Sequence, residues 1–251
     1  MEREDQPKLF TGFPPVSTAE WEEKIIADLK GADYAKKLIW KTEEGFDVKP
    51  YYRSEDLVNL DHMQALPDSL PYVRGVRPMG NDWSVRQDFD TTDVTQANAR
   101  ALSAIACGAD AVGFNVTEIT THRQMSELLN GIDLKKTAVH FTTSRSYPLS
   151  IELLIYEVSH RAEGGELVRG SVNFDPISYL LLHGDFYVNW AHNLEETEYL
   201  LNTLSKRLPK FKLITVNGHY FQDSGSTLVQ ELAYSLASAN EYLAGLTEKG
   251  F

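Results

Sequence analysis

An alternation of short apolar segments with helical segments runs from Trp83 to the end of the 251-residue chain and limits which folds are open to it. Each apolar segment is rich in β-branched and aromatic residues, as buried strands are, and apolar residues at spacings of three and four follow it, as in helices. Strands separated by helices pair in parallel through right-handed crossovers, so the sequence predicts an α/β fold. The predicted strands are 83–89, 111–116, 137–142, 167–173 and 212–216.

Two architectures accommodate such strand–helix units: an open doubly wound sheet and a (β/α)8 barrel of the TIM type. No Gly-x-Gly-x-x-Gly and no Gly-x-x-x-x-Gly-Lys-Ser/Thr follows a predicted strand, so the nucleotide-binding versions of the open sheet lack their motif. Each predicted strand ends in polar residues, as at the mouth of a barrel. Because a complete barrel takes eight units and about 250 residues, we expect a TIM-type barrel that is truncated after about five units.

The first 80 residues do not show this alternation. Residues 1–16 predict an extended arm, Ser17-Thr-Ala-Glu20 has the pattern of a helix capping box, and a hairpin is predicted around Gly45. Aromatic side chains in such a segment have to pack on their own domain or on a partner. We therefore divide the chain into an N-terminal arm with a helix and a hairpin, 1–80, and a partial barrel domain, 81–251.

Composition and charge exclude several classes of function. The net charge of −12 repels nucleic acids and acidic membrane surfaces, so neither is expected as a partner. The single cysteine, Cys107, lies in a helical pattern and is predicted to be buried; one thiol forms no internal disulfide, which predicts a reducing compartment. The sequence shows no signal peptide and no apolar run of the roughly 18 residues that a membrane span needs, so we expect a cytoplasmic protein.

The crossover between the fifth strand and its helix, Asn217-Gly-His-Tyr-Phe-Gln-Asp-Ser-Gly225, is dense in polar and aromatic residues. Enzymes of the α/β class keep their chemistry at the carboxyl ends of parallel strands, so this segment is the first candidate for a functional site. The helix that follows is predicted to have an apolar face, made by Leu228, Leu232, Leu236, Ala239 and Leu243.

Four segments, in order, carry a resemblance to a known family. Trp83-Ser-Val-Arg-Gln87 is similar to a Trp-Thr-Ile-Arg-Gln, and 217–225 is similar to a Ser-Gly-Tyr-His-Met-Gln-Glu-Ala-Gly. Upstream, 40–50 and 71–75 are similar to Thr-Pro-Glu-Gly…Val-Lys-Pro and Pro-Phe-x-Arg-Gly. All four belong to the adenosylcobalamin-dependent methylmalonyl-CoA mutases, which the chain resembles from about residue 17 to its end.

The resemblance implies a barrel whose axis admits the CoA chain, a separate cobalamin domain, and a radical rearrangement of succinyl-CoA to methylmalonyl-CoA in propionate metabolism. Catalytic members have a Tyr after the Arg-Gln of the first strand, where this chain has Asp88, and a His in the fifth crossover, where this chain has Tyr220. A phenol, with a reference pKa of about 10, is a weak general acid, and the Asp88 carboxylate repels an anionic CoA ester. The cobalt-ligating Asp-x-His-x-x-Gly motif is absent from the sequence.

With these differences, the chain resembles the small, non-catalytic subunit of heterodimeric mutases, which keeps the fold but not the active site. That resemblance implies that a large catalytic subunit is the partner and binds the CoA ester, and that the holoenzyme contains adenosylcobalamin, whereas this segment binds neither cofactor nor metal. Residues 1–50 are expected to supply much of the contact with the large subunit. One alternative is a divergent, active acyl-CoA mutase whose site consists of His219, Gln222 and Arg86; another is an open α/β binding module unrelated to mutases.

The remaining candidate ligands have structural interpretations. His183 and His192 have a spacing that matches no common metal motif, even with Asp185 between them. His140 is interpreted as a satisfied interior imidazole. Arg86 and Asp88 are interpreted as a structural pair inside a filled barrel.

Overall fold

The computed structural model describes residues 12–80, 82–144, 147–161 and 164–251. It divides into two compact units, one up to Pro78 and one from Met79. Most of the predicted extended arm, residues 1–11, lies outside the described residues.

The first unit begins with a capped helix, α1 (Thr18–Asp28). The Ser17 hydroxyl accepts a hydrogen bond from the Glu20 N–H at 3.2 Å, and the Glu20 carboxylate accepts one from the Ser17 N–H at 2.8 Å. This is the predicted capping box, and it satisfies two amide groups that a helix start leaves unpaired. The Trp21 ring on α1 lies 5.9 Å from the ring of Tyr51, centroid to centroid.

A short helix, α2 (Tyr34–Leu38), leads into the predicted hairpin, which is smaller than the sequence suggested. Its antiparallel strands, β1 (Trp40–Lys41) and β2 (Asp47–Val48), pair over two residues each, with Gly45 at a φ of 86° in the turn. Leu38 is the last residue of α2, whose N-cap Asp33 accepts a hydrogen bond from the Lys36 N–H.

The second unit contains a five-stranded parallel sheet whose strands follow one another in sequence order. Its strands are β3 (Arg86–Asp90), β4 (Ala111–Asn115), β5 (Ala138–Thr142), β6 (Gly170–Phe174) and β7 (Phe211–Ile214). Its helices are α3 (Val94–Ala106), α4 (His122–Leu129), α5 (Tyr147–His160), α6 (Pro176–His183), α7 (Trp190–Arg207), α8 (His219–Asp223) and α9 (Leu228–Glu248).

Sequential parallel strands with right-handed crossovers place all the connecting helices on one face of the sheet. Accordingly, α3 packs on α4, α4 on α5, and α5 on α7, each helix beside the next. Alternate strand residues fill the core between the sheet and these helices, including Phe114, Phe141 and Phe174, each at most 1% exposed. The arrangement is that of an α/β barrel wall, as predicted. The open doubly wound sheet was the wrong alternative, since its strand order reverses and its helices cover both faces.

One strand boundary differs from the sequence prediction: β3 begins at Arg86 rather than at Trp83, whose side chain is 70% exposed. The N-cap of the following helix, α3, is Asp93, and the preceding Thr92 N–H donates to the Asp90 carboxylate at 3.2 Å.

Cys107 is exposed, which corrects the prediction that it is buried. It is the C-cap residue of α3 rather than an interior helix position, so it lies past the last turn that packs on the core.

The apolar face predicted for α9 is exposed. The side chains of Leu228, Leu232, Leu236 and Leu243 are each more than 60% exposed, whereas Tyr242 and Leu246 are buried. The helix packs on α7 by the other side, where Gly245 admits Leu194: a Cβ at Gly245 would lie 2.9 Å from the Leu194 Cδ2. Periodicity identified the helix correctly but not the face that this unit covers.

Candidate functional site

The crossover after β7, predicted as a polar loop, contains the short helix α8 (His219–Asp223). Gly218 starts it close to α9, because a Cβ at Gly218 would lie 2.6 Å from the Ser235 Oγ. Gly225, at a φ of 96°, reverses the chain into the capped start of α9. Both glycines therefore serve the turns of the backbone.

His219 and Tyr220, the residue at the position where catalytic members are expected to have a histidine, are neighbours on α8. Successive residues on α8 are separated by about 100° around the helix axis, so His219 and Tyr220 do not point to opposite faces as neighbours on a strand would. Their rings contact each other, with centroids 4.1 Å apart. His219 and Gln222 are both exposed to solvent, and Tyr220 is half-buried.

On the face of the sheet without helices, Arg86 and Asp88 form an ion pair. The Arg86 Nε donates to the Asp88 Oδ1 at 2.6 Å. Asp88 lies opposite Gly113 of β4, and a Cβ at Gly113 would lie 1.8 Å from the Asp88 Oδ1. The pair therefore lies over a glycine that leaves room for it.

A polar row continues from this pair across the inner face of the sheet. Gly113 is in register with His140 of β5, and His140 is in register with Ser171 of β6. The His140 Nδ1 lies 2.8 Å from the Ser171 Oγ. Burial, together with the nearby charges of Arg86 and Lys212, lowers the pKa of His140, so the imidazole is neutral at neutral pH. His140 is thus a satisfied interior imidazole.

The structure does not bring the three alternative catalytic residues together. Arg86 is the first residue of β3, at the amino end of the sheet, whereas α8 follows the carboxyl end of β7. The five residues of a strand such as β3 separate these two edges by about 13 Å. Arg86 is bonded to Asp88 instead of facing His219 or Gln222.

Sequence reasoning missed the most connected polar group at the carboxyl edge, the Asp175 carboxylate. It is buried and accepts five hydrogen bonds: from the N–H and Oγ of Ser178, the N–H and Nδ2 of Asn217, and the hydroxyl of Tyr242. These bonds tie β6, α6, the segment after β7 and α9 together. The available signal was Asp175-Pro176, an N-cap followed by Pro at the first helical position.

A cavity of about 480 Å3 lies next to Asp175, on the helix-bearing side of the sheet. It is bounded by α5, α6 and α7, and four tyrosines and two glutamates line it together with His192. No sequence pattern indicated it, because its lining residues come from three helices and the connection after α6.

The described residues do not fit a metal or a cobalt-ligating group. Among them, no three His, Cys, Asp or Glu side chains are grouped so that they could hold a metal ion. His183 lies against the Tyr179 ring, with centroids 4.2 Å apart. In the part of the chain that the structure describes, no helix is both long and apolar enough to cross a bilayer.

Comparison with known proteins identifies one family. The family model described as methylmalonyl-CoA mutase matches residues 41–122 and 110–251. A protein of Porphyromonas gingivalis described as the methylmalonyl-CoA mutase small subunit is 36% identical over 98% of this chain, which covers 40% of that protein.

Other relatives are mutases of other descriptions. A methylmalonyl-CoA mutase of Cereibacter sphaeroides is 27% identical over 92% of the chain, and 36% of that protein is covered. A methylmalonyl-CoA mutase large subunit of Streptomyces virginiae is 25% identical over 98% of the chain, with 37% covered. The chain thus spans about 40% or less of the length of these relatives.

Proposed function

The chain belongs to the methylmalonyl-CoA mutase family, and we propose that it acts as a non-catalytic, small-subunit type of partner for a large catalytic subunit. In the assembly, the large subunit interconverts succinyl-CoA and methylmalonyl-CoA, binds the CoA ester and works with adenosylcobalamin. The relative described as a small subunit, at 36% identity, supports this proposal over a single-chain mutase.

The observation that carries the proposal is the Arg86–Asp88 pair. The resemblance implies a tyrosine at the position of Asp88 in catalytic members. Here a carboxylate, bonded to Arg86 at 2.6 Å, lies over Gly113 on the sheet face that would line a barrel axis. A CoA ester on this face would therefore meet an Arg86–Asp88 ion pair in place of the tyrosine hydroxyl that catalytic members are expected to offer.

The crossover at α8 supports the same conclusion. The resemblance implies that catalytic members have a histidine where this chain has Tyr220, and the adjacent His219 is a solvent-exposed residue beside the Tyr220 ring. A general acid acting on a thioester must lie within hydrogen-bond reach of the carbonyl and titrate near neutral pH. The exposed imidazole of His219 follows the carboxyl end of β7, whereas Arg86 lies at the amino end of β3, so these side chains do not form one site.

Adenosylcobalamin, which would supply the radical, is assigned to the partner. The relative described as a small subunit supports this assignment, and the described side chains form no group that could hold a metal ion. We assign no step of the reaction to this chain.

The proposed contact with the large subunit includes residues 1–50. In the described part of this segment, Phe13, Trp40 and Phe46 are 77%, 60% and 55% exposed. Large exposed aromatic side chains anchor protein interfaces more often than other surface residues do. Their number in one short segment fits a docking role.

Turnover and association together test the proposal. Assayed alone with adenosylcobalamin and methylmalonyl-CoA, the chain should show no turnover, whereas it should co-purify with the large subunit in an active complex. A clear rate from the chain alone would favour the divergent enzyme.

Deletion of residues 1–50 should weaken co-purification with the large subunit. Glu248→Gln, at an exposed site on α9, is a control that should leave co-purification unchanged. Unchanged association after the deletion would contradict the role of the arm.

A further inference from the structure

The cavity beside Asp175 is separate from every residue that the proposed function uses. It lies among the helices, where Phe174 forms its floor, whereas Asp88 and His140 lie on the other face of the sheet. Its volume of about 480 Å3 is within the range of about 300–1,000 Å3 that small-molecule sites occupy.

Aromatic rings form the walls of this cavity. Tyr179 and Tyr187 stand nearly perpendicular, at 80°, with centroids 6.2 Å apart, so they make a corner. Tyr147 contributes a third ring and is held edge-on against Phe174, 4.8 Å away at 87°. The face of an aromatic ring attracts organic cations, and four tyrosine rings line this one cavity.

The charge of the cavity is negative. Two glutamates of α7, Glu195 and Glu196, line the cavity. None of its described lining residues is Lys or Arg. Glu196 is half-buried, and this burial raises the pKa of its carboxyl while the nearby His192 opposes the shift. A half-buried carboxylate is stabilised by a cation placed against it. Tyr199 lines the same wall, with its hydroxyl donating to Glu152 at 3.1 Å.

We propose that this cavity binds a small alkylammonium group, which lies against the tyrosine rings that line it, with Glu196 as its counter-charge. The rings supply cation–π attraction and apolar contact for the carbon atoms, and the carboxylate supplies selectivity for positive charge. The group belongs either to a small quaternary ammonium compound of the choline type or to a lysine side chain of another protein. Both carry a positive charge on an alkyl-substituted nitrogen.

A pair of isosteric probes tests the charge requirement on the whole chain. Choline should bind, as measured by calorimetry or by tyrosine chemical shifts, and 3,3-dimethylbutan-1-ol, its neutral analogue, should bind at least roughly fivefold more weakly. Equal binding of the two, or no binding of choline at millimolar concentration, overturns the proposal. Because this readout needs neither the large subunit nor turnover, its failure is distinguishable from failure of the proposed function.

Substitutions then locate the site. Glu196→Gln and Tyr179→Leu should each weaken choline binding several-fold, whereas Glu248→Gln, which removes a charge from an exposed position on α9, should not change it. Thermal unfolding of each variant checks that it is folded. Folded Glu196→Gln and Tyr179→Leu variants with unchanged affinity overturn the assignment. Tighter binding of choline than of N-acetyl-lysine amide assigns the site to a small quaternary ammonium compound, and the reverse assigns it to a lysine side chain.

Discussion

The Tyr242 hydroxyl donates a hydrogen bond to the Asp175 carboxylate at 2.6 Å, joining α9 to the end of β6 across 67 residues of sequence. The same hydroxyl accepts a bond from the Ile177 N–H at 2.8 Å, in the first turn of α6. Burial above all, together with the charge of Asp175, raises the pKa of Tyr242 far above its usual range, so the hydroxyl stays protonated and continues to donate. This contact positions the longest helix of the unit.

Removing that hydroxyl should destabilise the chain. Tyr242→Phe leaves the ring in place but deprives a buried carboxylate of one donor and the Ile177 N–H of its acceptor. Hydrogen bonds to charged groups contribute about 1.5–3 kcal/mol, so the free energy of unfolding should fall by about that amount. Urea denaturation measures it. Tyr234→Phe, on the same helix at a 48% exposed site, is the matched control and should change it little; equal effects would contradict the role of the contact.

Substitution by alanine should lower the free energy of unfolding by different amounts at two glycines of the sheet, Gly170 and Gly113. At Gly170, with a φ of 150°, a Cβ would lie 1.7 Å from the Val139 carbonyl oxygen, which is backbone and cannot rotate away. Gly170→Ala should therefore lower the free energy of unfolding by about 2–4 kcal/mol. Gly113→Ala meets the Asp88 carboxylate and the Arg86 guanidinium, which are the ends of flexible, exposed side chains and can turn aside, so its cost is that of a surface ion pair, about 1 kcal/mol or less.

Denaturant midpoints of the two variants check this contrast. If Gly113→Ala proves the more damaging, the Arg86–Asp88 pair is held more firmly than its exposure indicates. The double variant Gly113→Ala with Asp88→Ala serves as a control, because removal of the carboxylate should remove the remaining cost.

The half-buried imidazole of His140 should make stability depend on pH below about 6.5. Its pKa is lowered in the folded chain, so the unfolded chain binds a proton first as the pH falls, and protonation favours unfolding. The stability that the neutral imidazole contributes is therefore present above the unfolded pKa and is lost as the pH falls through and below it.

Unfolding of the native chain and of His140→Asn, each at pH 7.5 and pH 5.5, measures this effect. The stability difference between the two proteins should be smaller at pH 5.5 than at pH 7.5. His219→Asn, at an exposed site, should run parallel to the native chain at both pH values. If the stability difference between the native chain and His140→Asn is as large at pH 5.5 as at pH 7.5, the imidazole is not held neutral in the folded chain.

The strand–helix alternation was readable from sequence because hydrophobic periodicity reports which side of an element is buried. It could not report what covers that side: the Leu228–Leu243 stripe of α9 is periodic yet exposed in this unit. The helix α8 was missed because five residues, His219–Asp223, are too few to show a period.

The candidate site was predictable only where it depends on local sequence. The Arg86–Asp88 pair lies two residues apart on one strand face, and the sequence therefore suggested it. The bonds of Asp175 to Asn217 and Tyr242 span 42 and 67 residues, and no single sequence contains a signal for such partners. The cavity is equally non-local.

Substitution of the crossover residues should leave catalysis by the complex unchanged. His219→Ala and Gln222→Ala alter exposed side chains of α8 that lie at the opposite edge of the sheet from Arg86. If the large subunit carries the chemistry, kcat and KM for methylmalonyl-CoA in the reconstituted complex should stay within about twofold of the native values, since a lost general acid would cost about 10²–10⁴-fold. His62→Ala, in the first unit, is the matched control for loss of an exposed imidazole. A fall in kcat with His219→Ala, at unchanged co-purification and unchanged thermal stability, would instead assign a catalytic role to this chain.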